Sequence, residues 1–163
     1  MATNYRATSA LTWTLASLAA SSSLVAGRSS TSYPNATNKD DGLGVAALIT
    51  TGASPTAGLI EVWAFAQRAD GTWPSLFSAA YTGTDGAFTV NSREVLFAGA
   101  VLVGSVTNDA TANRAYEIRL QDLASKFGFA PKEFALWVTH STGVALNATG
   151  GNHSGVVHPV YYS

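Results

Sequence analysis

The sequence predicts an all-β fold: an antiparallel, jelly-roll-like β-sandwich of about eight strands. Three observations carry that expectation. Short runs rich in apolar, β-branched and aromatic residues recur along the chain, punctuated by Gly, Pro, Asn and Asp. No segment has the length and 3.6-residue period of a crossover helix. Two runs present large apolar side chains to both sides: Ile60, Val62 and Ala64 alternate with Trp63 and Phe65, and Phe134, Leu136 and Val138 alternate with Ala135 and Trp137. Successive strand residues point to opposite faces, so such strands need cover on both. That requires two layers of structure, or one layer and a partner.

Taken in order, the first strand is expected over Leu11–Leu15, where Leu11, Trp13 and Leu15 alternate with Thr12 and Thr14. A weaker strand follows at Leu24–Arg28. Ser29–Gly42, with Pro34 and Lys39-Asp40-Asp41, reads as a loop. The third strand, Leu43–Thr51, lines up Leu43, Val45, Ala47 and Ile49 on one side, and the fourth spans Leu59–Gln67. Turn chemistry marks Thr51–Gly58, Asp70-Gly71 within Ala69–Pro74, and Gly83–Phe88. A fifth strand is expected over Phe97–Val106, although Ser92 suits an N-cap and permits a short helix over Ser92–Phe97. In the sixth, Arg114–Leu120, Tyr116, Ile118 and Leu120 oppose Ala115, Glu117 and Arg119, a half-buried alternation. Asp122 then caps a short helix through Leu123, Ala124 and Phe127, with Gly128 as its C′ residue. The seventh and eighth strands are Glu133–Ser141 and Val156–Tyr162. Pro159 cannot donate to a ladder, which predicts an edge position or a bulge. Residues 1–10 are expected to form a flexible or partner-contacting arm on a single domain spanning 1–163.

Composition narrows the function. The chain of 163 residues is 47% hydrophobic, enough for a core. Only 12% of residues are charged, roughly half the usual 25% or so. Net charge is −1 and no basic stripe occurs, so nucleic acid is not an expected partner. A surface so poor in charge is weakly protected against association. The absence of cysteine excludes a disulfide framework, thiolate catalysis and a Cys-based zinc site. The N-terminus imitates a secretory signal, with Arg6, the run Ala10–Ala20, and Val25-Ala26-Gly27 near a small-residue cleavage pattern. Its strand-like alternation and its dilution by Ser17 and Ser21–Ser23 favour a folded segment instead. No run approaches the 20 or so apolar residues of a membrane span, so no membrane partner is expected.

Signals for chemistry are weak. His140, His153 and His158 lack metal-ligand spacing, and are expected to be loop and surface histidines bonded to backbone. There is no GxSxG elbow. Glu61, Glu117 and Glu133 lie in expected strands, where a solvated face or a cross-strand ion pair accounts for them as well as a catalytic pair does. Gly42–Ala47 holds a GxG without the third glycine or the following helix of a dinucleotide site. No catalytic residue, cofactor or metal is assigned, and the chain is not expected to be an enzyme. Trp63, Trp73, Phe77, Tyr81 and Phe88 cluster in the middle of the sequence. They suit core and interface packing more than a sugar-binding platform. Three Asn-x-Ser/Thr sequons, at Asn35, Asn147 and Asn152, are accounted for by composition.

Leu15–Arg28, Thr50–Ala66 and Val138–His153, closed by the terminal His-Pro-Val-Tyr-Tyr-Ser, resemble small structural proteins of tailed bacteriophages, and the likeness spans Leu11 to Tyr162. The resemblance implies a capsid decoration or cement protein on the outer head surface of the virion, assembled in the host bacterial cytoplasm. The major capsid protein and further copies of the chain, as homodimer or homotrimer, would be its partners. Other virion parts (a head-fibre base, a tail or receptor-binding sandwich) and a secreted carbohydrate-binding module are the alternatives. Tyr33, Trp73, Phe77, Tyr161 and Tyr162 are the interface candidates, as aromatics in segments expected to be exposed.

Overall fold

The computed structural model describes residues 2–163. Its strands are β1 (Thr3–Tyr5), β2 (Ser9–Leu11), β3 (Ala26–Ser29), β4 (Gly42–Thr50), β5 (Gly58–Ala66), β6 (Gly86–Thr89), β7 (Val101–Asn108), β8 (Ala115–Leu120), β9 (Phe134–His140) and β10 (Ser154–Tyr162). Short helices α1 (Asn35–Asn38), α2 (Arg93–Gly99) and α3 (Leu123–Phe127) sit in the connections.

The pairing is that of a ribbon rolled on itself. β5 pairs with β7, β4 with β8, β3 with β9 and β2 with β10, all antiparallel and nested one outside the next. Successive pairs alternate between two sheets, giving β2-β10-β4-β8 in the first and β3-β9-β5-β7 in the second. This is jelly-roll order, as expected. β1 extends the first sheet by pairing with the C-terminal half of β10, and β6 extends the second by pairing with β3.

Between the sheets lie Leu43, Val45, Ala47 and Ile49 of β4 against Ile60, Val62 and Ala64 of β5 and Phe134, Leu136 and Val138 of β9. Each fully buried side chain of this size contributes roughly 1.5–3 kcal/mol, which makes this layer the main source of stability. A second apolar cluster covers the outside of the second sheet. Trp63, Phe65, Ala135 and Trp137 are roofed by Leu76, Phe77, Tyr81, Val90 and Leu96. The roof is the chain's own segment 67–100, and Phe65 meets Trp73, Phe77 and Tyr81 edge-on at centroid distances of 5.6, 5.2 and 4.9 Å. The two-sided strands are therefore covered from within the molecule, with no partner needed.

Several boundaries differ from expectation. The first strand ends at Leu11, yet Trp13 and Leu15 still point into the core, at 8% and 0% exposure. Their alternation outlasts the ladder because Thr12 exchanges bonds with Thr31 rather than with a strand. The second strand begins at Ala26, after Leu24 takes a left-handed backbone (φ 55°). Phe97 belongs to α2, which Ser92 caps by accepting from Val95 N–H; the strand starts only at Val101. β6 replaces the end of an expected turn. Residues 2–10 do not form a flexible arm, since β1 and β2 both pair with β10. β10 is accordingly an interior strand, which corrects the edge position inferred from Pro159. The Pro159 carbonyl accepts from Arg6 N–H at 3.2 Å, so its ring nitrogen faces the break between β1 and β2, where no ladder bond is lost.

Candidate interaction surfaces

Unlike the second sheet, the first has a bare outer face. Strand register places Ala10, Val156, Ala46 and Arg119 in one row across it, and Tyr5, Val160 and Gly42 in another. A solvated antiparallel face ordinarily alternates to polar residues. Here Tyr5, Gly42, Gly44, Ala46, Val156 and Val160 make up its middle, and Ser154, His158, Glu117 and Arg119 are the polar residues among them. A shallow trough of about 600 Å³ runs over Gly44 and Ala46, walled by Tyr5, Val160 and His158 on one side and Arg119 on the other. Tyr5 and Tyr162 stand proud of the face at 81% and 51% exposure. Its charges largely cancel: Arg119 donates to Glu117 at 2.7 Å, which raises the guanidinium and lowers the carboxyl from their ordinary values.

A second surface is the end of the sandwich formed by the β2–β3, β4–β5 and β9–β10 connections. Backbone bonds tie the three together: Ser17 N–H to Asn147 O, Ser21 N–H to His140 O, Asn147 N–H to Thr50 O and Thr56 N–H to Thr142 O, at 2.7–3.2 Å. Residues 15–27, 51–60 and 141–152 contain no Asp, Glu, Lys, Arg or His. Apart from Leu59 and Asn152, their exposed positions are Ala, Ser, Thr and Gly, among them Ala19, Ala53 and Ala148. Charge borders this end at two places: Arg93 donates to Leu24 O at 3.2 Å, and the Asp109–Arg114 pair lies in the β7–β8 connection, where bonding led by the Tyr116 hydroxyl holds the Asp109 carboxyl down at about 2.

The aromatic candidates separate. Tyr162 lies on the bare face. Tyr161 points the other way, beneath the Arg6 guanidinium at 4.8 Å. Trp73 is half-buried in the roof of the second cluster, edge-on to Phe65 and Tyr81. Tyr33 and Phe77, expected to be exposed, are buried at 1% and 6% exposure and belong to the cores. The Tyr33 hydroxyl donates to the buried Asp40 carboxylate at 2.7 Å, and burial followed by that bond pushes its pKa up to about 12. Asp40 in turn accepts from Arg6 at 2.8 Å, which fastens the N-terminal segment to the rest. The roof aromatics pack edge to face into a cluster and present no flat platform.

Tyr5 was not among the sequence candidates. It sits in a polar stretch, and only its long-range pairing with Val160 brings it to the apolar face. Phe97 is a second unexpected exposed aromatic, at 61%. It packs on Trp63 at 4.9 Å beside Arg93, which grips Glu61 through two bonds of 2.7 and 3.0 Å.

Two histidines expected at the surface are buried. His153 accepts from Thr50 N–H at Nδ1 and donates from Nε2 to Asn147 O. His140 lies 3.0 Å from Leu18 O and from Thr142 Oγ1. Among the described residues, no three His, Asp or Glu side chains are grouped so as to share a metal ion.

Comparison with known proteins returns no matching family model, curated protein or solved structure.

Proposed function

We propose that this protein is a structural component of a tailed-bacteriophage virion, a decoration or cement protein that binds the major capsid protein on the outer surface of the head. The observation that carries the reading is the uncharged end of the sandwich. The three segments that resemble phage structural proteins are distant in sequence, yet they converge there into one surface. Its chemistry suits adhesion to a lattice. Small Ala, Ser, Thr and Gly side chains lose little rotamer freedom when covered. No charge has to be stripped of water. Binding only to the expanded shell stabilises that shell by mass action, and repetition around the lattice multiplies a modest affinity.

The test is to add purified protein to expanded heads that lack it. Saturable, stoichiometric binding to expanded but not unexpanded heads is the expected result. Ala19→Glu, Ala53→Glu and Ala148→Glu, each at an exposed position of that end, should abolish binding while leaving thermal unfolding unchanged. Absence of binding to any head form would refute the proposal.

A further inference from the structure

We infer that His140 and His153 form a proton-sensitive latch beneath the uncharged end, so that mild acid loosens this end and weakens its hold on a partner. The identity of that partner rests on the head-binding reading; the latch itself does not.

Both rings plug the gap between the sheets. His140 follows Phe134, Leu136 and Val138 at two-residue spacing, and His153 precedes Val157 at the same spacing, so each lies at the end of the inner layer, 0% and 7% exposed. From there they lace together the segments that make the surface above. His140 reaches Leu18 O in the β2–β3 connection and Thr142 Oγ1 in the β9–β10 connection, both at 3.0 Å. His153 accepts from Thr50 N–H, where β4 runs into the β4–β5 connection, and donates to Asn147 O in the β9–β10 connection, at 3.2 and 2.9 Å. All three connections are thereby held through two neutral imidazoles.

A second proton enters each ring at Nδ1. His140 can take it without losing a bond: the ring then donates to Thr142 Oγ1, and that hydroxyl turns to Val144 O, 3.2 Å away. At His153 the new N–H meets Thr50 N–H, donor against donor, and leaves a buried amide without its acceptor. Among the described residues no carboxylate bonds to either ring. β5 sets Ile60 beside His140, and the three connections offer carbonyls, hydroxyls and apolar side chains. Glu61 and Arg93 lie on the opposite face of the second sheet, His158 on the outer face of the first, and Asp109 with Arg114 in the β7–β8 connection. Burial foremost, and His153 more weakly, lower the pKa of His140 against the backbone bonds of Leu18 and Ala19. A cationic ring is thus accommodated once the segments above part and admit water. The loosened end binds the proton first, so falling pH drives the opening.

Amide hydrogen exchange on the isolated protein from about pH 7.5 to 5 tests the latch without heads. Protection factors at Ser17, Ser21, Thr50 and Asn147, whose amides donate within this end, should fall about tenfold or more as pH drops, while those of β5 hold. Nitrogen chemical shifts of the two imidazoles should titrate with the loss. His140→Asn combined with His153→Asn keeps an acceptor near each Nδ1 without a titrating ring, and should hold protection constant. In a pelleting assay, affinity for expanded heads should fall over the same range in the natural protein and stay level in the double variant. Constant protection in the natural protein, rings still neutral at about pH 5, or a loss that persists in the double variant would overturn the inference. So would β5 amides losing protection in step, or head affinity that stays level while protection falls. Absence of head binding at every pH, with the exchange result as expected, removes the head-binding reading and keeps the latch; normal head binding with constant protection does the reverse.

Discussion

His140 shows how one buried side chain ties stability to pH. Its Nε2 faces the Leu18 carbonyl, which can only accept, so the neutral ring carries its proton there and turns Nδ1 toward Thr142. Burial lowers its pKa from the ordinary value; backbone bonds to Leu18 and Ala19 oppose this, and nearby His153 adds to the lowering. The unfolded chain therefore takes up the proton first as pH falls. Stability should be full above about pH 6.5, fall as pH drops below it, and level off beneath the folded-state pKa. Urea unfolding across this range would show the slope, and His140→Asn should flatten it. Glu61 and Arg93 make a second test. Glu61 is buried and, among the described residues, its one other bond donor is the Trp63 indole, so Arg93→Met strands a carboxylate. A loss of about 3 kcal/mol in urea unfolding is expected.

At the level of elements, β3 depends on one glycine. Trp137 of β9 lies flat across Gly27, where a Cβ would stand 2.0 Å from Val138 O and 2.7 Å from Trp137 Cε2. The backbone oxygen cannot move without breaking the β3–β9 ladder, so Gly27→Ala should cost about 3 kcal/mol or more by thermal unfolding. α3 is the simpler case. Asp122 accepts from Ala124 and Ser125 N–H, and Gly128 ends the helix in a left-handed turn at φ 75°. Asp122→Ala should cost about 1 kcal/mol in the same measurement. Asp122, Gly128 and the alternation of β4, β5, β8 and β9 were all legible in sequence, because caps and side-chain periods are written in adjacent residues. β1 and β6 were not. Each is three or four residues of unremarkable composition, made a strand only by a partner far along the chain. Phe97 was misassigned for a related reason: an apolar residue between a helix cap and a strand fits either period, and packing on Trp63 decided it.

Viewed whole, the molecule has one roofed sheet, one bare sheet and one end without charge. The assignment of interface aromatics suffered most from sequence alone. Tyr33 and Phe77 stand among turn residues and look exposed, yet the roll of the ribbon carries both into the cores. Tyr5 looked like part of a polar arm and proved the most exposed large apolar side chain among the described residues. Because the three segments that form the proposed head-binding end carry no ionisable side chain, its affinity for heads should change little between low and high salt. Binding assays across about 0.05–1 M NaCl would check this, and a steep loss with salt would place the contact on charged residues elsewhere.

The sequence by itself determined that the chain is a β-sandwich with strands apolar on both faces and a short helix capped by Asp122. Those properties follow from which way neighbouring side chains point, and from bonds that close within a few residues. The tertiary structure decided what covers each face. Segment 67–100 folds over one sheet, no described segment folds over the other, and β1 is drawn to the C-terminal half of β10. Such outcomes depend on contacts between residues up to the length of the chain apart, such as Thr3 with Tyr162, and no local pattern encodes them.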